Sequence, residues 1–342
     1  MDNNGKVRIG VIGCGQIART RHIPELHESA VAEIAGFYDF IPAHAQAMSD
    51  QYGGIVYEQY QDMLNDEQVD GVVICTSNDS HVPISIEALE KGKNVLCEKP
   101  MCTALEDAKA LLEAEEKSDA FYMAAHNQRF NLGNASAKEV LDSGKMGKVL
   151  SFKCTLAHSG PERYSINRSN STWYLSKKTS GLGCISDLGI HKCDVIQYTL
   201  GERFTQVSAF AGTRDKKDEN GDLADVYDNA VCLFKTESGI MGSMNLAYTN
   251  YGSMENSIVY YCEKGVLKVQ YYPDCMLEVL MDGGEKVRYI SSEHPSSGVT
   301  DTFAKAIAAK AGSPVPSREA YDAMRVVFAI EESARTGQIV NL

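Results

Sequence analysis

Long apolar runs are missing from this chain of 342 residues. Runs such as residues 71–74 fall far short of the roughly 18 consecutive apolar residues that a spanning helix needs, so no membrane span is expected. The stretch from Met1 to Lys6 has no apolar core behind a charged head, so no signal peptide is expected either. Positive charge is short: 33 Lys and Arg stand against 46 Asp and Glu, a net charge of −13. Such a surface repels phosphate backbones and anionic headgroups, which argues against nucleic acid and membrane partners. The 10 cysteines form no C-x-x-C pair, and Cys75, Cys97, Cys154, Cys232 and Cys262 sit inside apolar runs. Reduced, buried thiols in a cytoplasmic protein are expected, in place of a disulfide framework. Proline is sparse at 9, glycine reaches 28, and the chain is 44% hydrophobic and 23% charged. That composition is globular, and the length suggests about two domains.

The first part of the chain alternates short apolar runs with helical patterns. Val7–Ile12, Ala32–Tyr38, Ile55–Val56, Gly71–Ile74, Asn94–Cys97 and Phe121–His126 read as strands. Between them lie helical stretches near 16–27, 42–51, 60–64, 81–91 and 108–117, with Pro42 at a helix start and a Thr103/Glu106 capping box. This alternation predicts βαβ units and a doubly wound parallel sheet over residues 1–127. After about residue 130 the pattern changes. One helix (135–143), a strand (148–157), a polar loop (159–180) and a helix (185–200) precede a series of strands separated by turn signals. Two helices follow, near 299–311 and 318–336, the second capped by Ser317. Residues 128–342 are therefore expected to form an α+β domain with a largely antiparallel, open-faced sheet. The charge run 214–225 reads as a solvated loop.

Gly13-Cys14-Gly15-Gln16-Ile17-Ala18 follows the first strand and opens the first helix. In this G-x-G-x-x-A pattern Gly13 permits the tight turn and Gly15 a close approach of backbone to a pyrophosphate. Ala18 permits close helix–strand packing. The anion would rest on the helix N-terminus. The second strand ends at Asp39, where a carboxylate accepts hydrogen bonds from ribose hydroxyls and repels a 2′-phosphate. Phe40 and Ile41 follow, with no Arg, so NAD is preferred over NADP.

Glu98-Lys99-Pro100 follows the strand 94–97 directly, at the strand end where ligands sit in a doubly wound sheet. A Lys there faces the nicotinamide end of the cofactor, although most lysines are only solvated. Asp187, His191 and Asp194 lie four and seven residues apart, so helical spacing puts them on one face. A carboxylate and an imidazole one turn apart orient each other, and the imidazole moves a hydroxyl proton near neutral pH. The same spacing also fits a polar helix stripe or a metal face, but no H-E-x-x-H pattern is present and no metal is expected.

Together these pieces resemble the family of glucose–fructose oxidoreductase, inositol dehydrogenase and MocA-like proteins. The matching segments are Gly13 to Ala18, Thr76-Ser77-Asn78-Asp79-Ser80-His81, Glu98-Lys99-Pro100, Asn127-Gln128-Arg129-Phe130, Trp173, Gly181 through Asp194, and Asp228-Asn229-Ala230. They run in family order over most of the chain. The resemblance implies a nicotinamide-dependent oxidoreductase of sugars, inositols or related polyols, with a homodimer or homotetramer formed through the second domain's sheet. It places the catalytic residues at Lys99, Asp187 and His191. It places the cofactor site at Gly13, Gly15, Gln16, Ile17, Asp39, Thr76, Asn78, His81, Glu98, Lys99 and Arg129. Substrate contacts would come from Lys99, Trp173, Asp187 and His191, while Arg163 and Tyr164 of the 158–170 segment either bind the polyol or face solvent. Tyr174 stands where many relatives have Arg, and Leu182 interrupts a frequent triple glycine. Glu162, Asn167, Arg168 and Asn170 are further polar candidates in the 158–170 segment, or face solvent.

Three functions fit this pattern. A dehydrogenase with exchangeable NAD is preferred. A redox-neutral glycoside eliminase or epimerase would use the same residues with tightly held cofactor. A non-catalytic sensor of nucleotide and sugar would tend to lose Lys99, Asp187 and His191, which are all present.

Overall fold

The computed structural model of the protein describes residues 5–166, 168–272, 275–290 and 297–342. The chain divides into two compact units: Met1–Asn127 with Ser296–Tyr321, and Gln128–Pro295 with Asp322–Leu342.

In the first unit, the described strands are β1 (Val7–Ile12), β2 (Ala32–Tyr38), β3 (Ile55–Val56), β4 (Gly71–Ile74), β5 (Asn94–Cys97) and β6 (Tyr122–Ala124). They form one sheet in the order β3-β2-β1-β4-β5-β6, with every pairing parallel. β4 is buried along its whole length, as a strand covered on both faces must be. The order reverses between β1 and β4, and a ligand crevice belongs outside the carboxyl ends of those strands. The first helix begins at residue 16 and passes through a π-helical turn, Ala18–His22, before Ile23–Glu28. Pro42 opens the helix Pro42–Tyr52.

Three local expectations differ. The helix Leu105–Glu116 starts after an extended Ala104 with no side-chain cap, so Thr103 and Glu106 form no capping box. Ser317 is the first residue of the helix Ser317–Thr336, and its hydroxyl donates to Glu115. The penultimate helix, Val299–Ala308, ends three residues before the expected end at 311.

The larger difference concerns Ser296–Tyr321, which belongs to the first unit and not to the expected second domain. Its helix Val299–Ala308 buries Phe303 and Ile307 over β4, where a Cβ on Gly71 would meet Ile307 at 3.0 Å and Phe303 at 3.2 Å. The start of this helix is held by the buried Glu25. One carboxylate oxygen accepts from the Gly298 N–H (3.0 Å) and the Ser297 hydroxyl (2.9 Å), and the other from the Thr300 N–H (2.8 Å). Orphan N–H groups at a helix start favour such an anion.

In the second unit the described strands are β7 (Val149–Ala157), β8 (Phe204–Gly212), β9 (Asn229–Thr236), β10 (Met241–Ala247), β11 (Glu255–Cys262), β12 (Gly265–Tyr272), β13 (Cys275–Met281), β14 (Lys286–Tyr289) and β15 (Val340–Asn341). They pair in the order β14-β13-β12-β11-β7-β10-β9-β8-β15. Only β7 with β10 is parallel among these pairings. One face is buried under the helices Leu132–Asp142 and Ile190–Leu200. The other carries Phe210, Val231, Leu233 and Met241, all exposed. Register places these four on one side, because Phe210 pairs with Val231 and Met241 with Lys235. The 159–180 stretch contains three short helical turns, Pro161–Arg163, Trp173–Leu175 and Lys177–Ser180. The charge run 214–225 is anchored: the fully buried Asp228 accepts the N–H groups of Arg214, Asp215 and Lys216 at 2.8–3.0 Å. Among the described residues no helix is long and apolar enough to cross a membrane. All 10 cysteines are free thiols, and nine are buried.

Glu25→Ala removes three hydrogen bonds to a charged acceptor. It is expected to lower the unfolding free energy by roughly 2–3 kcal/mol and to speed amide exchange at the start of Val299–Ala308. Urea unfolding with hydrogen exchange checks this; unchanged protection of the Thr300 amide would refute it.

Candidate functional site

The glycine turn stands at the reversal point of the first sheet. Gly13 has a φ of +91°, and a Cβ there would lie 2.7 Å from the Cys75 carbonyl oxygen, so the loops after β1 and β4 touch. A Cβ on Gly15 would meet nothing within 4 Å. That is open space of the kind a pyrophosphate can enter. Gln16 is exposed and Ile17 half-buried. Cys14 lies between the two glycines. Burial first, and the Asp39 charge second, push its thiol up to about 12, with Arg19 opposing. It therefore stays neutral and adds no negative charge beside a phosphate.

Asp39 braces this turn. Its Oδ2 accepts the Cys14 N–H (2.7 Å) and its Oδ1 the Ile41 N–H (2.8 Å). A carboxylate offers about four acceptor positions, so capacity remains for ribose hydroxyls. Arg19, absent from the sequence expectations, donates from Nε to the Cys14 carbonyl (2.8 Å). The residues of this unit thus fit a dinucleotide with an unphosphorylated ribose.

In the loop after β4, Thr76 is half-buried and accepts from the Ser80 hydroxyl (2.7 Å), while Asn78 is buried. His81, expected to touch the cofactor, is buried. Its Nδ1 lies 2.8 Å from the Pro100 carbonyl oxygen and its Nε2 lies 3.2 Å from that of Thr76. Its ring joins two loops of the fold. Burial, opposed by those carbonyls and Glu98, holds its pKa below the ordinary value, so the ring stays neutral and donates to one carbonyl at a time.

Lys99 follows β5, half-buried, and precedes a cis Pro100. The preceding Glu98 is buried and accepts three donors. His22 Nε2 lies at 2.9 Å and Arg21 at 3.2 Å from Oε1, and the Lys99 N–H at 3.0 Å from Oε2. Burial alone would raise its pKa. The His22 hydrogen bond and the charges of Arg21, His22 and Lys99 outweigh burial and hold it well below the usual carboxylate range.

In the second unit, Asp187 lies in a π-helical turn, Ile185–Gly189, that leads into Ile190–Leu200. Asp187 and His191 are both half-buried. Tyr248, which follows β10, is fully buried and donates its hydroxyl to Asp187 Oδ2 (2.8 Å). Burial and the Asp187 charge push the Tyr248 hydroxyl well above its ordinary value, so it remains a donor. His158 stacks on Tyr248 (5.3 Å between ring centroids), and the exposed Tyr164 meets His158 edge-on (5.1 Å). His158 Nδ1 accepts the Gly160 N–H (3.0 Å), which puts the proton of a neutral ring on Nε2.

Asp194 does not share the exposure of Asp187 and His191. Its carboxylate is buried and bound on both oxygens by Arg129 (2.8 and 2.5 Å). Arg129, expected at the cofactor, is thus buried and paired inside the second unit, with its guanidinium 4.7 Å over the Tyr198 ring. Arg163 is exposed over Tyr251 (5.2 Å), and Trp173 is half-buried and stacked on Tyr174 (3.7 Å). Glu162 accepts from the buried Lys216 (2.5 Å), while Arg168 and Asn170 are exposed. Asn167 lies outside the described residues.

Tyr248 and His158 were missed because neither lies in a motif. Lys192 was missed because lysines are rarely buried. It occupies an apolar position of its helix, and its ammonium donates to Asn256 Oδ1 (2.6 Å) and Gln128 Oε1 (3.3 Å). Burial, opposed by Cys154, pushes its pKa down to about 8.

Residues 7–126 match an oxidoreductase family with an NAD-binding Rossmann fold, and residues 134–268 match the GFO/IDH/MocA C-terminal domain. The chain belongs to the GFO/IDH/MocA oxidoreductase family. Its first unit is the NAD-binding Rossmann domain of that family. Among relatives, glucose-6-phosphate 3-dehydrogenase of Bacillus subtilis is 30% identical over 230 residues, 64% of this chain and 63% of that protein. Myo-inositol 2-dehydrogenase of Thermotoga maritima is 29% identical over 237 residues, 69% of this chain and 67% of that protein. Levoglucosan dehydrogenase, solved with NADH and levoglucosan, shares the fold with a TM-score of 0.88 at 22% identity, covering 98% of this chain and 99% of that one.

Lys192 titrates at about 8 in the folded chain against 10.5 ordinarily. Between those values the unfolded chain binds the extra proton, so this group makes stability rise with pH. From pH ~7.5 to ~9.5, wild type should gain roughly 2 kcal/mol relative to Lys192→Met. Urea unfolding at both pH values measures the difference; parallel pH dependences would refute it.

Proposed function

We propose that this protein is an NAD-dependent dehydrogenase that oxidises a secondary hydroxyl of a sugar, glycoside or inositol-type polyol. The observation that carries the reading is Lys99, held at the carboxyl end of β5 by a buried, ionised Glu98 inside an NAD-binding unit. The named activities of the relatives support the substrate class.

Bound NAD would supply the hydride acceptor. Gly13, Gly15, Gln16 and Ile17 would hold its pyrophosphate and Asp39 its adenosine ribose. Thr76, Asn78, Glu98 and Lys99 would line the remainder. His81 braces two loops of the first unit, and the Arg129 guanidinium is engaged by Asp194 inside the second unit, so neither offers its polar groups to the cofactor. His191 takes the proton from the substrate hydroxyl as a general base. The ammonium of Lys99 stabilises the alkoxide that develops as the proton leaves. Asp187, which accepts the Tyr248 hydroxyl, orients His191 and accepts from a neighbouring substrate hydroxyl. Arg163, Tyr164 and Trp173 offer polar and aromatic surface to the rest of the sugar.

NADH absorbance is expected to rise with NAD and one member of a panel of inositols, hexoses, sugar acids and glycosides. Lys99→Met should lower that turnover by about 100-fold or more with NAD still bound. Silence across the panel with nucleotide retained would favour the redox-neutral enzyme.

We also propose a homodimer or homotetramer joined through the open face of the second sheet. Phe210 is 83% and Met241 64% exposed there beside Val231 and Leu233, an apolar patch of the kind that marks an interface. Light scattering at micromolar concentration should give a multiple of the 37.4 kDa chain mass, and Leu233→Glu should lower it. A monomeric wild type would overturn this.

A further inference from the structure

His22 has no exposure, and both ring nitrogens are engaged. Nε2 lies 2.9 Å from Glu98 Oε1 and Nδ1 lies 2.7 Å from the Thr300 hydroxyl. An ionised carboxylate can only accept, so Nε2 carries a proton towards Glu98. In a neutral ring Nδ1 then accepts, and the Thr300 hydroxyl is its donor. In a charged ring Nδ1–H donates, and the same hydroxyl accepts. Thr300 therefore serves either state, and Glu98 meets an N–H in both. Thr300 belongs to the helix whose start is fixed by Glu25, so its hydroxyl is held from a second direction.

The chain of contacts ends at Lys99. Glu98 Oε2 accepts the Lys99 N–H at 3.0 Å, so the orientation of the carboxylate sets the backbone from which the Lys99 side chain departs. Without His22, Oε1 would keep Arg21, which is 24% exposed, and a buried anion would be left under-satisfied. We infer that His22, backed by Thr300, is a positioning residue that fixes Glu98 and through it the placement of the Lys99 ammonium. The inference rests on the role given to Lys99 above, and it adds a residue that none of the motifs contains.

The full-length protein with NAD is the test sample, with His22→Leu, His22→Gln, Thr300→Val and Lys99→Met compared with wild type. His22→Leu is expected to lower kcat by about tenfold or more, with KM and NAD affinity within about threefold of wild type. His22→Gln keeps an amide donor for Glu98 and should recover most of kcat. Thr300→Val should fall in the same direction by a smaller factor, and it carries the test if His22→Leu does not fold. A second readout needs no turnover. Lysines are dimethylated with a carbon-13 label, and the Lys99 resonance is assigned by its absence in Lys99→Arg. That resonance should move in His22→Leu and Thr300→Val and return towards wild type in His22→Gln. An unmoved resonance with wild-type kcat in both variants would overturn the inference, provided Lys99→Met is inactive. If Lys99→Met stays active, the catalytic reading of Lys99 fails, and the resonance alone decides whether His22 positions it.

Discussion

A carboxylate with almost no access to water must find donors, and the first unit is arranged around meeting that requirement for Glu98. Its three donors come from a π-turn of the first helix and from the backbone of the next residue. The first helix is the one that begins at the glycine turn, so the nucleotide end of the unit and the Lys99 end share one rigid element. Thr300 behind His22 ties in a segment from late in the chain. A buried anion of this kind is costly when one partner is lost and steady when all are present.

The second unit uses the same physics with different parts. Asp187 is held by Tyr248, Tyr248 is stacked by His158, and His158 is held by the Gly160 N–H. Asp228 gathers the N–H groups of a charge-rich loop, and Arg129 binds both oxygens of Asp194. In each case a carboxylate is matched by fixed donors, which keeps its geometry narrow. Lys192 is the contrast. Its ammonium meets neutral amide oxygens, and burial pushes its pKa down.

Much of this was legible in the sequence. The alternation of apolar runs and helices gave the parallel sheet, and the glycine pattern with Asp39 gave the nucleotide end. The segments around Lys99 and Asp187–His191 supplied the candidates for the proposed chemistry. These signals are local: a strand, a turn and a helix start lie within a few residues of one another. The capping-box reading at Thr103 failed because pattern alone cannot tell which extended residue precedes the first helical one. Arg129 and His81 were recognisable as family positions, yet their partners at Asp194, Pro100 and Thr76 decide what their polar groups do.

The sequence by itself determined the two architectures, the glycine turn and which residues are candidates for moving a proton or stabilising an alkoxide. The tertiary structure decided which of them are supported and by what. His22 meets Thr300 across 278 positions of chain and Glu98 across 76, and Tyr248 meets Asp187 across 61. It also decided that Ser296–Tyr321 belongs with the first unit, through Phe303, Ile307 and Glu25. The physical reason is the same throughout. Periodicity and turn chemistry act over a few residues, whereas the satisfaction of a buried charge depends on whichever donors the fold brings within 3 Å, roughly the length of a hydrogen bond.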